Sequence, residues 1–194
     1  KNHAQIESHG FLSTEKIFES AKSYQDSGVN RMSIVTSGRG LSDKDFDQAI
    51  EAYRYLNKNL TIDLCASHGI LSKDQLQKLF DVGVKRYHHN LETSRRFFPE
   101  ICTTHTFDER IATIKNAKSV GLDVCSGGII GMGESWQDRI DLAMELSELE
   151  IQSIPINSLI PIRGTKFESL KNLSSDEILR TIAIFRFINP DANI

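Results

Sequence analysis

Along this chain, polar openings followed by apolar residues at helical spacing alternate with short β-branched or apolar runs. Ser13, Ser42 and Ser72 precede helical patterns that run to about Ser27, Asn57 and Val82, and Thr106, Ser135 and Ser174 open three more. The pairs Ser72 and Gln75, Thr106 and Glu109, and Ser174 and Glu177 have the spacing of a capping box, in which each side chain satisfies the other residue's orphan amide. Three of these helices end alike: Gly28-Val29-Asn30, Gly83-Val84-Lys85 and Gly121-Leu122-Asp123 each offer a glycine for a left-handed cap and then an extended run. The strands predicted between the helices are Arg31–Thr36, Thr61–Ala66, Lys85–Leu91, Asp123–Ile130 and Ser153–Ile160. Such alternation with short connections gives βαβ units and a parallel sheet, in either a doubly wound fold or most of an α/β barrel. A complete eight-fold barrel takes about 250 residues, so this chain would be its middle.

Side chains in a strand point alternately to its two faces, and here one face is persistently polar or sulfur-bearing. It carries Arg31, Ser33 and Val35 in the first strand, Asp63 and Cys65 in the second, and Arg86, His88, Asn90 and then Glu92 in the third. Cys125, Gly127 and Ile129 share a face of the fourth, and Pro155, Asn157 and Leu159 a face of the fifth. A doubly wound sheet buries both faces and reads as near-continuous Val, Ile and Leu. A partial TIM-type barrel, whose interior is a site toward the carboxyl ends of its strands, explains the pattern better.

Length and composition narrow the class further. The 194 residues suit one good core, 39% are hydrophobic and 25% charged, and the net charge is −3. That excludes wholesale disorder. No apolar run approaches the roughly 20 residues of a membrane span. With acids ahead of bases and no basic block longer than Arg95-Arg96, no nucleic-acid footprint is present. Cys65, Cys102 and Cys125 are too far apart in sequence for a CxxC knuckle or a disulfide framework, which suits the cytoplasm.

No Ser–His–Asp ordering, phosphate-cradling loop or HExxH motif is present, and Gly38-Arg39-Gly40 is too short for a dinucleotide fingerprint. What remains is a polar strand end, His88-His89-Asn90-Leu91-Glu92, and two strand cysteines, Cys65 and Cys125, facing the interior. Thiolates are the usual ligands of iron–sulfur clusters. Glu134 either ties the turn after the fourth strand to backbone amides or is an acidic helix-start residue favoured by the dipole. Phe97-Phe98-Pro99 reads as a loop lid or hydrophobic plug, Trp136 as packing or a surface anchor, and Phe185 and Phe187 as core.

Several stretches, in this order, resemble the biotin synthase family of radical S-adenosylmethionine (SAM) enzymes: Ser33 to Gly40, Tyr87 to Ser94, Thr103 to Phe107, Cys125 to Glu134, Ile154 to Asn157, Gly164-Thr165 and Phe185 to Pro190. The segments CSGGIIGMGE and HNLETS are the most specific. The resemblance covers essentially the whole chain and implies a radical SAM barrel that converts dethiobiotin to biotin. It implies SAM, a 4Fe–4S cluster that cleaves it, and an auxiliary iron–sulfur cluster, 2Fe–2S or a variant, that gives up the sulfur. Position by position, Cys65 and Cys125 match auxiliary-cluster ligands, Asn90, Glu92, Ser37 and Ile129 match SAM contacts, and Asn157, assisted by His88 or Asn90, matches a substrate contact.

The departures are specific. Ser33 stands where the family often has a third cluster cysteine, His88 where Asn is common, and Glu92 where Asp is common. Cys102 falls where an aliphatic residue or Thr is usual, which makes it a candidate alternative ligand. By the same resemblance, the CxxxCxxC segment of the SAM-cleaving cluster would precede Lys1 and a ligating arginine would follow Ile194. Residues 1–194 are therefore expected to be a single domain, the central part of a longer parent chain, and inert alone. A flavodoxin or ferredoxin electron donor and a homodimer are implied. The alternatives are another radical SAM reaction, such as hydrogenase-cofactor maturation or methylornithine formation, and a non-catalytic iron–sulfur accessory protein.

Overall fold

Helices and parallel strands alternate through residues 10–194, which the computed structural model describes. In chain order they are α1 (Thr14–Asp26), β1 (Arg31–Val35), α2 (Asp43–Asn59), β2 (Asp63–Ser67), α3 (Lys73–Asp81), β3 (Val84–His88), α4 (Phe98–Ile101), α5 (Phe107–Ser119), β4 (Asp123–Cys125), β5 (Gly128–Ile130), α6 (Trp136–Glu148), β6 (Ile156–Ser158) and α7 (Ser175–Ile188). They form two compact units, one of residues 10–89 and 109–124, the other of residues 90–108 and 125–194.

The first unit is built on a sheet in the order β1-β2-β3-β4. Its helices begin where serines cap them: Ser13, Ser42 and Ser72 accept the backbone N–H of Lys16, Asp45 and Gln75, and at Ser72 the full capping box closes. Gly28, Gly83 and Gly121 end three helices with φ of 80°, 96° and 92°, which only glycine adopts without steric cost. The stripe Phe46, Ala49, Tyr53 and Leu56 of α2 is buried, as are Leu64 and Ala66 of β2 and Val84 and Tyr87 of β3. The opposite face of the sheet is the polar one, with Arg31, Ser33 and Val35 exposed and Arg86 and His88 half-buried.

In the second unit β5 pairs with β6 in parallel, Gly128 to Ile156, Ile129 to Asn157 and Ile130 to Ser158. Ile130, Leu142, Leu146, Ile154 and Phe185 are buried. Ser135 and Asp138 close a capping box at the start of α6. At Ser174 only the first half of the expected box is made: Glu177 N donates to its hydroxyl, while the Glu177 carboxylate pairs with Arg139 at 2.9 Å.

Five expectations change. The strand expected over 85–91 runs as Val84–His88 and ends ahead of Leu91, whose N–H goes to Gly127 O at 3.0 Å. The strand expected over 123–130 breaks at Ser126-Gly127, because the Gly127 carbonyl accepts both Leu91 N and Glu92 N at 3.0 and 3.1 Å. The strand expected over 153–160 shortens to Ile156–Ser158: Pro155 has no N–H for a ladder, and Ile154 N is taken by Asn193 O at 2.8 Å. A short helix, α4, follows Phe97, with Phe98 buried edge-on against Phe107 and His105, so this segment is a plug. Phe187 is 88% exposed, whereas Phe185 is fully buried. Residues two apart lie about 200° apart around a helix, so the two phenylalanines cannot share a core face. Among the described residues, no helix is long and apolar enough to cross a membrane.

Candidate functional site

In the first unit the strand register sets one row of side chains: Ser33 of β1 opposes Cys65 of β2, and Cys65 opposes Arg86 of β3. The last pairing depends on a bulge. Leu64 pairs with Val84 and Cys65 with Arg86, so Lys85 is an extra residue that turns Arg86 onto the face of Cys65. Arg31 and Asp63 pair across the same face at 3.2 Å, and Arg86 reaches Asp123 at 3.8 Å. The Arg86 Nε is enclosed and meets no acceptor among the described residues. His88 is the next residue on this face along β3, and burial lowers its pKa below the ordinary histidine value, which favours the neutral ring.

Behind Cys65 lies a buried polar chain. The Tyr53 hydroxyl is 3.3 Å from Cys65 O and 2.9 Å from His68 Nε2, and His68 Nδ1 is 3.1 Å from the Thr36 hydroxyl. His68 is 1% exposed, and desolvation pulls its pKa down to about 4. A neutral imidazole with one donor and one acceptor nitrogen can satisfy both hydroxyls. Ser37, next to Thr36 just beyond β1, is exposed.

The second unit holds a backbone clasp. Asn90 Oδ1 accepts Gly127 N at 3.0 Å, and Ile129 N donates to Glu92 O at 2.8 Å. Glu92 sits at φ 72°, a left-handed conformation that costs a non-glycine residue about 1–2 kcal/mol. Such strain concentrates at functional sites. A Cβ on Gly127 would stand 1.9 Å from Pro155 O, and one on Gly128 2.4 Å from Glu92 O, so both positions need glycine for close approach. The register places Asn157, exposed, beside Ile129, half-buried. It also bridges Cys125 to Ser153, whose hydroxyl donates to the Cys125 sulfur at 3.5 Å.

Electrostatics brace the turn after β5. Glu134 accepts Gly131 N and Met132 N, each at 2.7 Å, and the Arg139 Nε at 2.8 Å. The tie to backbone amides is present. Arg139 also donates to Thr181 and packs 4.6 Å from the Trp136 ring centroid. Burial pushes the Asp138 carboxyl up, but hydrogen bonds from Ser135, Ser94 and Arg96 outweigh it and hold the group well below the usual carboxylate range.

Cys102 follows α4, its sulfur 3.4 Å from His105 Nδ1 and 3.5 Å from the Thr104 hydroxyl. None of the three cysteines forms a disulfide. Among the described residues no three His, Cys, Asp or Glu side chains gather as a metal-binding set. The structure thus assembles Ser33, Cys65 and Arg86 in one unit, and Asn90, Glu92, Ile129 and Asn157 in the other. In the first unit, a strand thiol beside an enclosed guanidinium nitrogen that meets no acceptor among the described residues suits an anionic sulfur-bearing group; in the second, a glycine-lined clasp suits a polar small molecule. Sequence reading passed over Ser153, His68 and Arg139. Strand alternation from Asn157 points to Ser153, but no local pattern marks the other two, whose roles come from partners 32 and 42 residues away.

A model of the radical SAM superfamily matches residues 2–146, and one of the biotin and thiamin synthesis associated domain matches residues 155–194. The biotin synthase of Clostridium perfringens (strain 13 / Type A) is 60% identical over 97% of this chain and 59% of its own length. That of Alkaliphilus metalliredigens is 55% identical over 100% of this chain and 61% of its own. The chain therefore spans about three fifths of these curated relatives. Among solved structures, methylornithine synthase superposes with a TM-score of 0.87 at 20% identity, covering 97% of this chain and 56% of that one. The FeFe-hydrogenase maturase HydG from Carboxydothermus hydrogenoformans gives 0.78 at 18%, covering 93% and 45%. At these identities the likeness carries the fold, an α/β radical SAM barrel of parallel strands, here in part.

Proposed function

The chain belongs to the radical SAM superfamily, and from that premise we propose that it is the central part of a biotin synthase, which inserts sulfur into dethiobiotin. What supports the reading most is its identity to biotin synthases over nearly the whole chain. The match to the biotin and thiamin synthesis associated domain points the same way. When bound, SAM with a 4Fe–4S cluster supplies hydrogen abstraction from unactivated carbon, which no protein acid or base achieves, and an auxiliary iron–sulfur cluster supplies the sulfur.

The chain's own residues bind and orient. Glu92, fixed by its clasp to Gly127 and Ile129, offers a carboxylate that accepts two ribose hydroxyls of SAM. Asn90 has its amide plane set by Gly127 N and contacts the amino-acid part. Ile129 gives the adenine an apolar wall, and Ser37 flanks SAM through its backbone. Asn157 both donates to and accepts from the dethiobiotin ring, and His88, neutral because of burial, assists without adding charge. Cys65 in the first unit would be a thiolate ligand of the auxiliary cluster; in the second unit Cys125 is the matching candidate ligand and Cys102 the candidate third thiolate. A C102A protein that keeps its full auxiliary iron and sulfide removes Cys102 from that set. A flavodoxin or ferredoxin donor, a homodimer and a cytoplasmic setting complete the reading.

The full-length protein, reconstituted anaerobically with iron and sulfide and given dethiobiotin, SAM and reduced flavodoxin, should form biotin and 5′-deoxyadenosine, read by mass spectrometry. Deoxyadenosine without biotin overturns the substrate and favours another radical SAM reaction. Neither product from a fully loaded protein favours a non-catalytic iron–sulfur role.

A further inference from the structure

We propose that Arg86 is a positioning residue for the sulfur-bearing group held at Cys65, its Nε–H donating to an anionic sulfur there. The inference deepens the biotin synthase reading and rests on it. Its physical basis is a donor without an acceptor beside a thiol. The bulge at Lys85 brings Arg86 directly opposite Cys65, on the face that also carries Ser33. The Arg86 Nε is enclosed yet has no acceptor among the described residues. An enclosed polar N–H left unsatisfied keeps its full desolvation penalty, larger on a charged group, so a native position of this kind implies a partner supplied from elsewhere.

Asp123 does not account for the placement. It meets the guanidinium at 3.8 Å through Nη2 alone, and its side chain is 68% exposed, so the pair is a weak, solvent-screened contact. Ser33, on the other side of Cys65, is a poor iron ligand and a neutral neighbour. The row Ser33, Cys65, Arg86 therefore presents one thiol between a hydroxyl and a fixed cation. A bound iron–sulfur group with thiolate ligands is anionic, and hydrogen bonds to its sulfurs raise its reduction potential and protect it. Lysine cannot replace this donor fully, because its compact ammonium lacks the planar fork that keeps an N–H in place.

The test uses full-length protein with both clusters reconstituted, comparing wild type with Arg86→Gln, Arg86→Lys and Asp123→Asn. R86Q should move the auxiliary-cluster midpoint potential to a more negative value and speed iron loss to a chelator by about tenfold, the usual effect of losing an outer-shell partner. R86K should recover part of the potential. D123N should leave both readouts at wild-type values, since a merely structural link from β3 to β4 would respond to either partner. An R86Q protein that folds by circular dichroism and matches wild type in potential and chelation rate overturns the inference alone. Wild-type protein that binds no auxiliary cluster overturns the biotin synthase reading, and the inference with it.

Discussion

Arg139 and Glu134 pair at 2.8 Å with only 4% and 1% of their side chains exposed, making this a buried ion pair. Its surroundings offset the desolvation of both charges: two backbone amides reach Glu134, and Thr181 and Glu177 reach Arg139. Removing one partner strands the other charge, which costs about 3–5 kcal/mol. Arg139→Met should therefore lower urea stability by that amount, and adding Glu134→Gln to it should recover part of the loss instead of doubling it. Additive losses would show that the two side chains act independently.

Stability should also fall as the solution is acidified from pH 6.5 toward pH 4. The native pKa of His68 lies at about 4, whereas an unfolded histidine titrates near 6.5. Between these values the unfolded chain takes up a proton that the native chain refuses, so the stabilisation is complete above pH 6.5 and is lost toward pH 4. The full span amounts to about 3 kcal/mol. Replacing His68 with Gln should flatten this part of the profile in denaturant titrations at several pH values, while a slope equal to wild type would place its origin elsewhere.

Two glycines should respond very differently to alanine. At Gly127 the new Cβ meets backbone, Pro155 O at 1.9 Å, and nothing flexible is there to give way. At Gly164, φ 81°, nothing lies within 4 Å, so only the left-handed backbone resists, at about 1–2 kcal/mol. Gly127→Ala should lose well over twice the stability of Gly164→Ala, or fail to fold, as thermal melts would record. Equal losses would mean that the Gly127 and Pro155 segments are free to separate.

Substituting Glu92 separates strain from binding. Glu92→Gly removes the carboxylate and also the steric cost of φ 72°, and the relief roughly cancels the extra chain entropy of glycine. The melting temperature of full-length E92G should thus stay within about 3 °C of wild type, while SAM affinity by calorimetry drops at least about tenfold. Unchanged SAM binding would remove Glu92 from the site.

Much of this was readable because it is local. The serine caps, the three glycine-ended helices and the polar face of Arg31, Ser33 and Cys65 follow from spacing alone, whereas Arg86 joins that face only through the bulge at Lys85, which no spacing announces. Three expected strands, 85–91, 123–130 and 153–160, come out shorter because their backbone groups serve other segments: the Gly127 carbonyl faces Leu91 and Glu92, and Ile154 N faces Asn193. Phe187 looked like core because hydrophobicity was counted without its angle around the helix. The Tyr53–His68–Thr36 chain escaped notice because its members lie on three elements and no short pattern links them.

The extra residue in β3 gives the chain around Lys85 the character of a ratchet tooth. Deleting that exposed lysine would set Val84, Arg86 and Tyr87 one to one against Leu64, Cys65 and Ala66, and ordinary alternation would keep Arg86 and His88 beside Cys65 and Tyr87 in the core. Adding a residue there has the opposite effect: unless the bulge widened, Arg86 and His88 would turn in among the helices and Tyr87 would be driven out. The count at this position can therefore fall by one without exchanging the faces of β3, but it cannot rise by one.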